Sequence, residues 1–479
     1  MSRCPPPRPP PRPSVPKRPA AAIDPLARAL AKSIRDGHGA EAAATLDMSE
    51  SLGSPRWYIG TLNIALERAL GCPGIPAGRL TEISGWEGAG KSTVLDQIIS
   101  QCQAEGGLAV LADVERARNR AYMVQLGCKP ESIVWIRGNT VETMFAQIET
   151  LVRDLTSRTT IAWWHALLRA GIKCPAPRTK KYEIFDQFDL GDNKRKPKPV
   201  HVMTLHEWGR QQAAALMEWQ KREGLPAMPM RDPVARERLR PCVLLGETDA
   251  ENEEAEKAWI VGESHPLVQP ANRHVVIGWD SVASTPTDAE MEGDSRDQHP
   301  ATAARVIRRN LRRLVQLIDD EAIAFVLINQ RYAKIMQGWQ PPGASKSETY
   351  GGGGIKYHST IRIELDKIGE IYPSGAGEDT PPMGQIVRIK VPKNKIESPF
   401  HEEEFGLIFG RGADNAWAIY EDLKARGVIL VKGGWSSFVD PKILGKANRA
   451  FHGWQELSNI MAEDSALWAK LSAMYAEAR

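Results

Sequence analysis

The segment GWEGAGKS, residues Gly85–Ser92, decides the fold, because it fits the pattern G-x-x-x-x-G-K-S/T at every fixed position. A strand-like stretch, LTEIS (80–84), precedes it, and a helix-like stretch, STVLDQIISQCQAEG (92–106), follows its lysine. In that setting the glycines let backbone N–H groups close on a phosphate, and the helix N-terminus adds partial positive charge. A chance glycine-rich turn is the alternative, but it would not require both flanks. The segment predicts a nucleotide-binding loop.

Two side chains of this loop have defined roles in phosphate chemistry. Lys91 would reach the β- and γ-phosphates of a nucleoside triphosphate, and the Ser92 hydroxyl would ligate Mg²⁺. Such a site also needs a carboxylate on a neighbouring strand to hold Mg²⁺ through water, and Asp280 ends the apolar strand HVVIGWD (274–280). We therefore expect ATP and Mg²⁺ as cofactors, with Ser92 and Asp280 at the metal. The expected ATP-binding residues of the loop are Gly85, Glu87, Gly88, Ala89, Gly90, Lys91, Ser92 and Thr93.

A further acidic residue, Glu115, follows the strand-like segment LAVLAD (108–113) at the sheet edge where a γ-phosphate would lie. Hydrolysis needs a base or a group that orients water, and a carboxylate can serve as either. A solvated loop acid is the alternative. Spacing alone leaves both interpretations open.

Strand-like and helix-like segments alternate from Leu80 onward. Helix-like stretches follow the nucleotide-binding loop and cover 141–155 and 302–318. Apolar strands are predicted at 80–84, 108–113, 132–136, 274–280 and 324–330. This alternation predicts an α/β fold with a mainly parallel sheet and helices on both faces.

Composition excludes several classes of protein. Of 479 residues, 62 are Lys or Arg and 59 are Asp or Glu, so the net charge of +3 argues against binding nucleic acid by bulk charge alone. No apolar run approaches the roughly 20 residues of a membrane helix. The 6 cysteines are scattered without C-x-x-C spacing, which indicates neither a zinc site nor a disulfide framework. We expect a cytoplasmic protein without a secretory signal or membrane contact.

Composition also changes along the chain. The first residues, MSRCPPPRPPPRPSVPKRPA, predict a disordered tail, with a docking peptide or weak nucleic-acid contact as the alternative. Clustered prolines, a basic run and an acidic run interrupt the strand–helix rhythm after about residue 156. The predicted organisation is a Pro/Arg-rich tail (1–22), an N-terminal segment (23–70), a core in two parts (71–156 and 273–410), an inserted subdomain of unknown role (157–272) and a C-terminal domain (411–479).

A helix-like stretch, TAARVIRRNLRRLVQLI (302–318), carries an arginine stripe. Ile307, Leu311, Leu314 and Ile318 share one face, and the arginines share the opposite one. Guanidinium groups suit backbone phosphates, although a solvated amphipathic helix has the same pattern. The expected DNA-binding residues here are Arg305, Arg308 and Arg312.

A long Gly-rich segment, RYAKIMQGWQPPGASKSETYGGGGIKYHS (331–359), follows the last apolar strand. Long loops within a compact core are usually functional. Trp339 and Met336 could stack or wedge between bases, which holds single strands without regard to sequence, while packing on the loop's own stem is the alternative for Trp339. The expected DNA-binding residues of this second loop are Lys334, Met336, Trp339, Gly351, Gly352, Gly353 and Lys356.

Five segments occur in an order that resembles the bacterial RecA recombinase family. They are GIPAGRLTEISGWEGAGKSTV (74–94), LADVE (111–115), VVIGWDSVAS (275–284), LINQ (327–330) and VPKNKIESPF (391–400). The resemblance implies a RecA-like P-loop ATPase core, an N-terminal oligomerisation helix and a small α/β C-terminal domain. It also implies contacts of Arg305 and Arg312 with single-stranded DNA. The second loop is a few residues longer than the family's usual version.

The resemblance assigns roles to individual residues. It implies that Glu115 is the catalytic glutamate that activates water and that Tyr122 stacks on adenine. It implies that Gln330 senses the γ-phosphate and links it to the DNA-binding loop. Lys393 and Lys395 match a pair that reaches the neighbouring subunit's ATP, where the sequence alone would favour a solvated strand end.

The resulting functional hypothesis is an ATP-dependent recombinase. It would form a helical filament of many copies on single-stranded DNA, pair with homologous double-stranded DNA and exchange strands. Recombination mediator proteins are further expected partners. Two alternatives remain: a DNA-dependent ATPase filament that acts as a scaffold or signalling platform without strand exchange, and a ring-shaped helicase-type motor.

Overall fold

The structure is a computed structural model. It describes residues 55, 57–116, 118–152, 183–184, 201–202, 242–244, 254, 268–270, 274–292, 300–320, 322–333, 347–373, 377, 379–444 and 450–477. The chain divides into two compact units, Met1–Arg137 with Val275–Arg479, and Gly138–His274. The predicted tail, most of the N-terminal segment and nearly all of the predicted insert lie outside the described residues.

The described strands are numbered in chain order. They are β1 (Tyr58–Ile59), β2 (Ile75–Pro76), β3 (Arg79–Gly85), β4 (Leu108–Asp113), β5 (Ile133–Ile136), β6 (Glu183–Ile184), β7 (His201–Val202), β8 (Cys242–Leu244), β9 (Val268–Pro270), β10 (Val275–Asp280), β11 (Ala324–Ala333), β12 (Ser347–Thr349), β13 (Ile361–Ile371), β14 (Gly384–Asn394), β15 (Glu402–Ile408), β16 (Gly412–Asp414), β17 (Ile429–Lys432) and β18 (Trp435–Phe438).

The described α-helices are numbered in the same way. They are α1 (Ile64–Leu70), α2 (Lys91–Ala104), α3 (Arg120–Gln125), α4 (141–152), α5 (Asp288–Glu292), α6 (Pro300–Asp320), α7 (Gly352–His358), α8 (Asn415–Ala425), α9 (Gly453–Glu463) and α10 (Ser465–Ala476). Short 3₁₀ turns cover Pro130–Ser132, Val282–Ser284 and Pro441–Leu444. No described helix has the length and apolar character needed to cross a bilayer.

One large sheet organises the first unit. Within the described residues its strands lie in the order β16-β15-β14-β13-β3-β11-β10-β4-β5, and β12 pairs with the outer end of β11. The six strands from β13 to β5 in this order run parallel. The strands β14, β15 and β16 extend the sheet with antiparallel pairing. The predicted α/β fold with a mainly parallel sheet is confirmed.

The strand register brings the carboxyl ends of four parallel strands to one edge. Gln330 on β11 lies beside Gly85 on β3, and Asp280 on β10 lies beside Asp113 on β4. Ligands of such sheets bind beyond the carboxyl ends of the strands. The nucleotide-binding loop and the acidic residues after β4 and β10 therefore share one edge.

Two strand predictions differ in accuracy. The strand at 108–113 has the predicted bounds, whereas β11 continues past Gln330 to Ala333. Its outer residues pair with β12, with Arg331 opposite Thr349 and Ala333 opposite Ser347. The sequence suggested a loop from residue 331 because the outer part of β11 has exposed polar residues rather than a buried apolar pattern.

Amphipathic helices cover the sheet as the apolar spacing predicts. On α2, Val94, Leu95 and Ile98 have at most 1% exposure. On α6 the predicted apolar face, Ile307, Leu311, Leu314 and Ile318, has 0% exposure. Burying a side chain of this size contributes about 1.5–3 kcal/mol, so these faces fix both helices against the core.

The short N-terminal helix α1 is tied to distant parts of the chain through Arg68. Its guanidinium donates to Glu403 on β15 at 2.7 Å and to Asp422 on α8 at 2.9 Å. The same group lies 3.6 Å from the centroid of the Tyr475 ring on α10. A planar guanidinium can satisfy two carboxylates and a ring face at once, so Arg68 joins the start of the described core to its C-terminal helices.

Candidate functional site

The nucleotide-binding loop spans the end of β3 and the start of α2. Gly90 precedes the helix with φ of 84°, in the left-handed region, and a Cβ there would lie 2.4 Å from Leu407 Cδ1. A Cβ on Gly85 would lie 2.4 Å from the Leu365 carbonyl oxygen. Only glycine fits both positions, because one needs positive φ and both lack room for a side chain.

The loop lysine points across the loop. Lys91 Nζ donates to the carbonyl oxygens of Gly85 at 3.1 Å and Trp86 at 2.8 Å. Burial lowers the pKa of the Lys91 ammonium, and the carboxylates of Asp280, Glu115 and Glu87 oppose this shift. The ammonium is thus held where the helix N-terminus and the loop amides also favour an anion.

The predicted metal residues are in direct contact. Ser92 Oγ donates to Asp280 Oδ2 at 2.6 Å, across the gap between α2 and β10. Asp113 lies beside Asp280, and its Oδ2 is buried without a hydrogen-bond partner. Burial raises the pKa of the Asp113 carboxyl, and the nearby Asp280 and Glu115 carboxylates raise it further.

These oxygens fit a magnesium site. Mg²⁺ prefers hydroxyl, carboxylate and phosphate oxygens and keeps several waters, so one or two protein ligands suffice. Within the described residues, no group of three or more His, Cys, Asp or Glu could hold a metal by itself. Ser92 and Asp280 would therefore hold Mg²⁺ together with the phosphates of a nucleotide.

A buried arginine that the sequence did not predict completes this corner. Arg118 Nη2 donates to Asp280 Oδ2 at 2.8 Å, and Nη1 pairs with Asp96 on α2. The side chains of Arg118 and Asp96 are only 6% and 5% exposed. One signal was available: Ser92 and Asp96 are four residues apart, which places both on one face of a helix.

The predicted catalytic glutamate lies in a hydrogen-bonded cluster. Glu115 Oε1 accepts from Ser281 Oγ at 2.9 Å, from Ser284 Oγ at 2.6 Å and from Gln330 Nε2 at 3.1 Å. Ser281 caps the 3₁₀ turn after β10, Ser284 is the last residue of that turn, and the Asp280–Ser281 peptide bond is cis. The sequence did not predict these serines. Three donors to Oε1 orient the carboxylate and leave its other oxygen, Oε2, outside these contacts.

A buried hydrogen-bond network links the strands that carry the site. Glu82 on β3 is fully buried and accepts from Arg362 Nε at 2.5 Å and Asn329 Nδ2 at 2.8 Å. Asn329 Nδ2 also donates to the carbonyl of Tyr350 at 3.0 Å. Because an unpaired buried carboxylate would be costly, this network fixes β3, β11 and β13 relative to each other.

The predicted DNA-binding residues divide between described and undescribed parts of the chain. Arg305, Arg308 and Arg312 are exposed on α6, opposite its buried face. Gly351 precedes α7, Gly352 and Gly353 begin it, and Lys356 is exposed near its end. Lys334, Met336 and Trp339 lie outside the described residues.

Cations from three elements meet near the end of α7. Lys393 Nζ donates to the carbonyl oxygens of Lys356 and Tyr357, while Lys395 is exposed beside it. Burial lowers the pKa of the His358 imidazole, and four cations lower the pKa further: Arg312, Arg308, Lys395 and Lys393. Two arginines of the stripe, Arg308 and Arg312, and the lysine pair therefore lie close enough to His358 to act on it together.

The predicted adenine-stacking residue lies in the segment after Glu115. Tyr122 is half-buried on α3, whose first turn is capped by Asn119. The Asn119 side chain accepts from the backbone N–H groups of Ala121 at 2.8 Å and Tyr122 at 3.3 Å. The cap fixes the backbone from which the Tyr122 side chain extends.

The sequence is similar to that of a known protein family. A family model described as the RecA N-terminal domain matches residues 26–160 and 255–414. The chain belongs to the RecA family. Within this RecA-family protein, the match is interrupted between 160 and 255, inside the range where the sequence predicts an inserted subdomain.

The similar proteins are distant in sequence. Protein RecA of Thermus thermophilus is 25% identical over 405 residues, which cover 85% of this chain and 82% of that protein. Protein RecA of Helicobacter acinonychis is 24% identical over 410 residues, covering 85% and 80%. Protein RecA of Campylobacter jejuni subsp. doylei is 24% identical over 386 residues, covering 80% and 76%.

Proposed function

We propose that this RecA-family protein is an ATP-dependent DNA recombinase. It binds ATP and Mg²⁺ at the sheet edge, forms a helical filament on single-stranded DNA and exchanges strands with a homologous duplex. Family membership supports the ATPase and DNA-binding parts of this proposal. The hydrogen bond between Glu115 and Gln330 is the observation that supports the proposed coupling of ATP hydrolysis to DNA binding.

That contact joins the hydrolysis site to the DNA-binding region. Glu115 Oε1 accepts from Gln330 Nε2, and Gln330 lies on β11, the strand that leads into the second loop. A γ-phosphate near Glu115 would compete with the Glu115 carboxylate for the Gln330 amide. The presence or absence of that phosphate would therefore change the contacts of β11 directly. This is a physical route by which ATP could control DNA binding.

The exposed arginines of α6 support a path for DNA. Arg305, Arg308 and Arg312 would contact backbone phosphates, and the second loop would add Lys334, Met336, Trp339, the glycines 351–353 and Lys356. Because guanidinium and ammonium groups recognise phosphate rather than base edges, binding would be independent of sequence. Homology would be read by base pairing between strands.

The lysine pair supports assembly of copies into a filament. Lys393 and Lys395 would reach the ATP of the neighbouring subunit, and the segment 23–70 would dock on that neighbour. A cation next to the transferring phosphate offsets charge that develops in the transition state. Hydrolysis would then depend on assembly.

Strand exchange between homologous DNAs with ATP and Mg²⁺ tests the proposed function. We expect exchange of a circular single strand with its linear duplex, and none with a heterologous duplex. Filaments without exchange would favour the scaffold alternative, and closed rings in electron micrographs would favour the helicase-type motor. Either outcome would contradict the proposal.

Changing Arg305, Arg308 and Arg312 together to Gln should weaken DNA binding in a salt-dependent way. Each phosphate contact with a single strand contributes about 0.7 to the slope of log K against log salt, so three lost contacts should reduce the slope by about 2. Fluorescence anisotropy of labelled oligonucleotides at several salt concentrations measures this slope.

A matched control removes the same charge elsewhere. Lys367, Arg388 and Lys390 form exposed ion pairs with Glu370, Glu404 and Glu402 on the antiparallel side of the sheet. Such pairs contribute little to stability, so their triple Gln variant should fold and keep the native slope. Equal loss of slope in both variants would mean that α6 makes no specific phosphate contacts.

Combining Lys393→Gln with Lys395→Ala should lower DNA-stimulated hydrolysis by at least about tenfold, because the cations that would offset charge on the transferring phosphate are lost. Gln at 393 keeps an N–H donor for the α7 carbonyl oxygens, so the subunit should unfold at nearly the native temperature. Native turnover with DNA, measured by phosphate release, would remove the pair from catalysis.

A further inference from the structure

The corner between α2, β10 and the segment after β4 contains an ion pair that the proposed chemistry does not use. Arg118 lies between two carboxylates, Asp280 on one side and Asp96 on the other. All three side chains are at most 7% exposed. The backbone carbonyl of Asp96 also accepts from Cys128 Sγ at 3.1 Å, which fixes that turn of α2.

Asp280 Oδ2 is the point where this pair meets the proposed metal site. It accepts from Ser92 Oγ at 2.6 Å and from Arg118 Nη2 at 2.8 Å. Ser92 and Asp280 are the residues that would hold Mg²⁺. The guanidinium thus donates to the same carboxylate oxygen as Ser92, next to the residues that would hold the metal.

We propose that Arg118 is a positioning residue that sets the metal affinity of Asp280, with Asp96 as the charge that moderates it. The proposal rests on the ATP and Mg²⁺ site proposed above. Arg118 fixes the orientation of the Asp280 carboxylate and partly neutralises its negative charge, which weakens its attraction for a metal ion. Asp96 partly neutralises the positive charge of Arg118 and so reduces the effect of Arg118 on Asp280.

The direction in which Arg118 and Asp96 change metal affinity follows from the electrostatics of charges that are buried from solvent. Charges that are out of solvent interact much more strongly than exposed ones. A cation bonded to Asp280 makes that carboxylate a weaker ligand, while an anion on the far side of the cation partly restores it. Outer-shell residues of metal sites commonly change metal affinity by about 10–100-fold, which sets the expected scale.

Two substitutions should therefore shift metal affinity in opposite directions. Asp96→Asn leaves Arg118 less compensated, so metal affinity should fall by about tenfold. The double change Asp96→Leu and Arg118→Leu removes the pair without leaving a buried charge, so metal affinity should rise by a similar factor.

The readout is metal binding rather than turnover. Free Mn²⁺ is titrated by electron paramagnetic resonance with the full chain and a slowly hydrolysed ATP analogue, and the affinity of the analogue alone is measured separately. A loss of packing would weaken metal binding in both variants. Opposite shifts of the midpoint distinguish positioning from such a structural effect.

Several results would overturn the proposal. Equal midpoints in native and variant chains, or shifts of the same sign, would mean that Arg118 does not tune Asp280. If the double variant does not fold, an unchanged midpoint for Asp96→Asn contradicts the proposal by itself. If the native protein binds Mn²⁺ with the analogue but the variants do not shift the midpoint in opposite directions, the proposed function stands and only the role of Arg118 is contradicted. Native protein that binds neither contradicts both.

Discussion

Lys91→Ala should reduce ATP hydrolysis to background. Lys91 Nζ lies over the loop with its donors directed at the carbonyl oxygens of Gly85 and Trp86. A charge-assisted hydrogen bond from this ammonium to a phosphate would contribute about 1.5–3 kcal/mol. Without it, nucleotide binding should weaken about 10- to 100-fold. Transition-state charge on the γ-phosphate would lose its nearest cation as well. Nucleotide binding is measured with a fluorescent ATP analogue and hydrolysis by phosphate release.

The matched control for this prediction is Lys129→Ala, an exposed lysine before the turn Pro130–Ser132. It removes the same charge and should leave hydrolysis unchanged. ATP turnover by Lys91→Ala within a few-fold of native would exclude the loop as the hydrolysis site.

Glu115→Gln should separate ATP binding from ATP hydrolysis. The amide oxygen can still accept from Ser281 and Ser284, so the local structure should persist. An amide cannot take a proton from water, and general-base catalysis contributes about 10²–10⁴ in rate. We expect ATP binding near native, turnover reduced at least about 100-fold, and filaments on single-stranded DNA that persist with ATP.

Single-turnover hydrolysis and electron microscopy test the two halves of this prediction. Glu131→Gln is the matched control, because Glu131 is 62% exposed and only distantly paired with Arg120. Native turnover in Glu115→Gln would remove Glu115 from catalysis. Lost nucleotide binding would instead mean that Glu115 mainly maintains the structure of the site.

Much of this site was readable from sequence because its residues follow local rules. The pattern Gly85–Ser92 has a fixed geometry, Asp280 ends an apolar strand and Glu115 follows another, whereas Gln330 was identified only through the resemblance to the RecA family. Parallel strands bring such ends together, so the convergence followed from the fold class. Periodicity likewise gave the buried face of α6, since apolar residues at spacings of three and four fall on one side.

Other features depend on contacts that no local pattern encodes. Asp96 and Arg118 are ordinary charged residues in the sequence, and only the approach of α2 to the segment after β4 makes them a buried pair. Lys393 resembled a solvated strand end, yet its ammonium binds the last carbonyl oxygens of α7. Both cases need tertiary distances between segments that are far apart in sequence.

The paired strands β11 and β12 have a consequence for how this protein can be altered. Arg331 pairs with Thr349 and Ala333 with Ser347, while Asn329 holds the carbonyl of Tyr350. The chain on both sides of residues 334–346 is therefore fixed by the sheet, whatever number of residues joins the two strands. Doubling the length of a loop costs only about 0.6 kcal/mol in closure entropy. We therefore expect insertions or deletions between Ala333 and Ser347 to cost little folding free energy, so the proposed DNA binding could be altered there without disturbing the sheet.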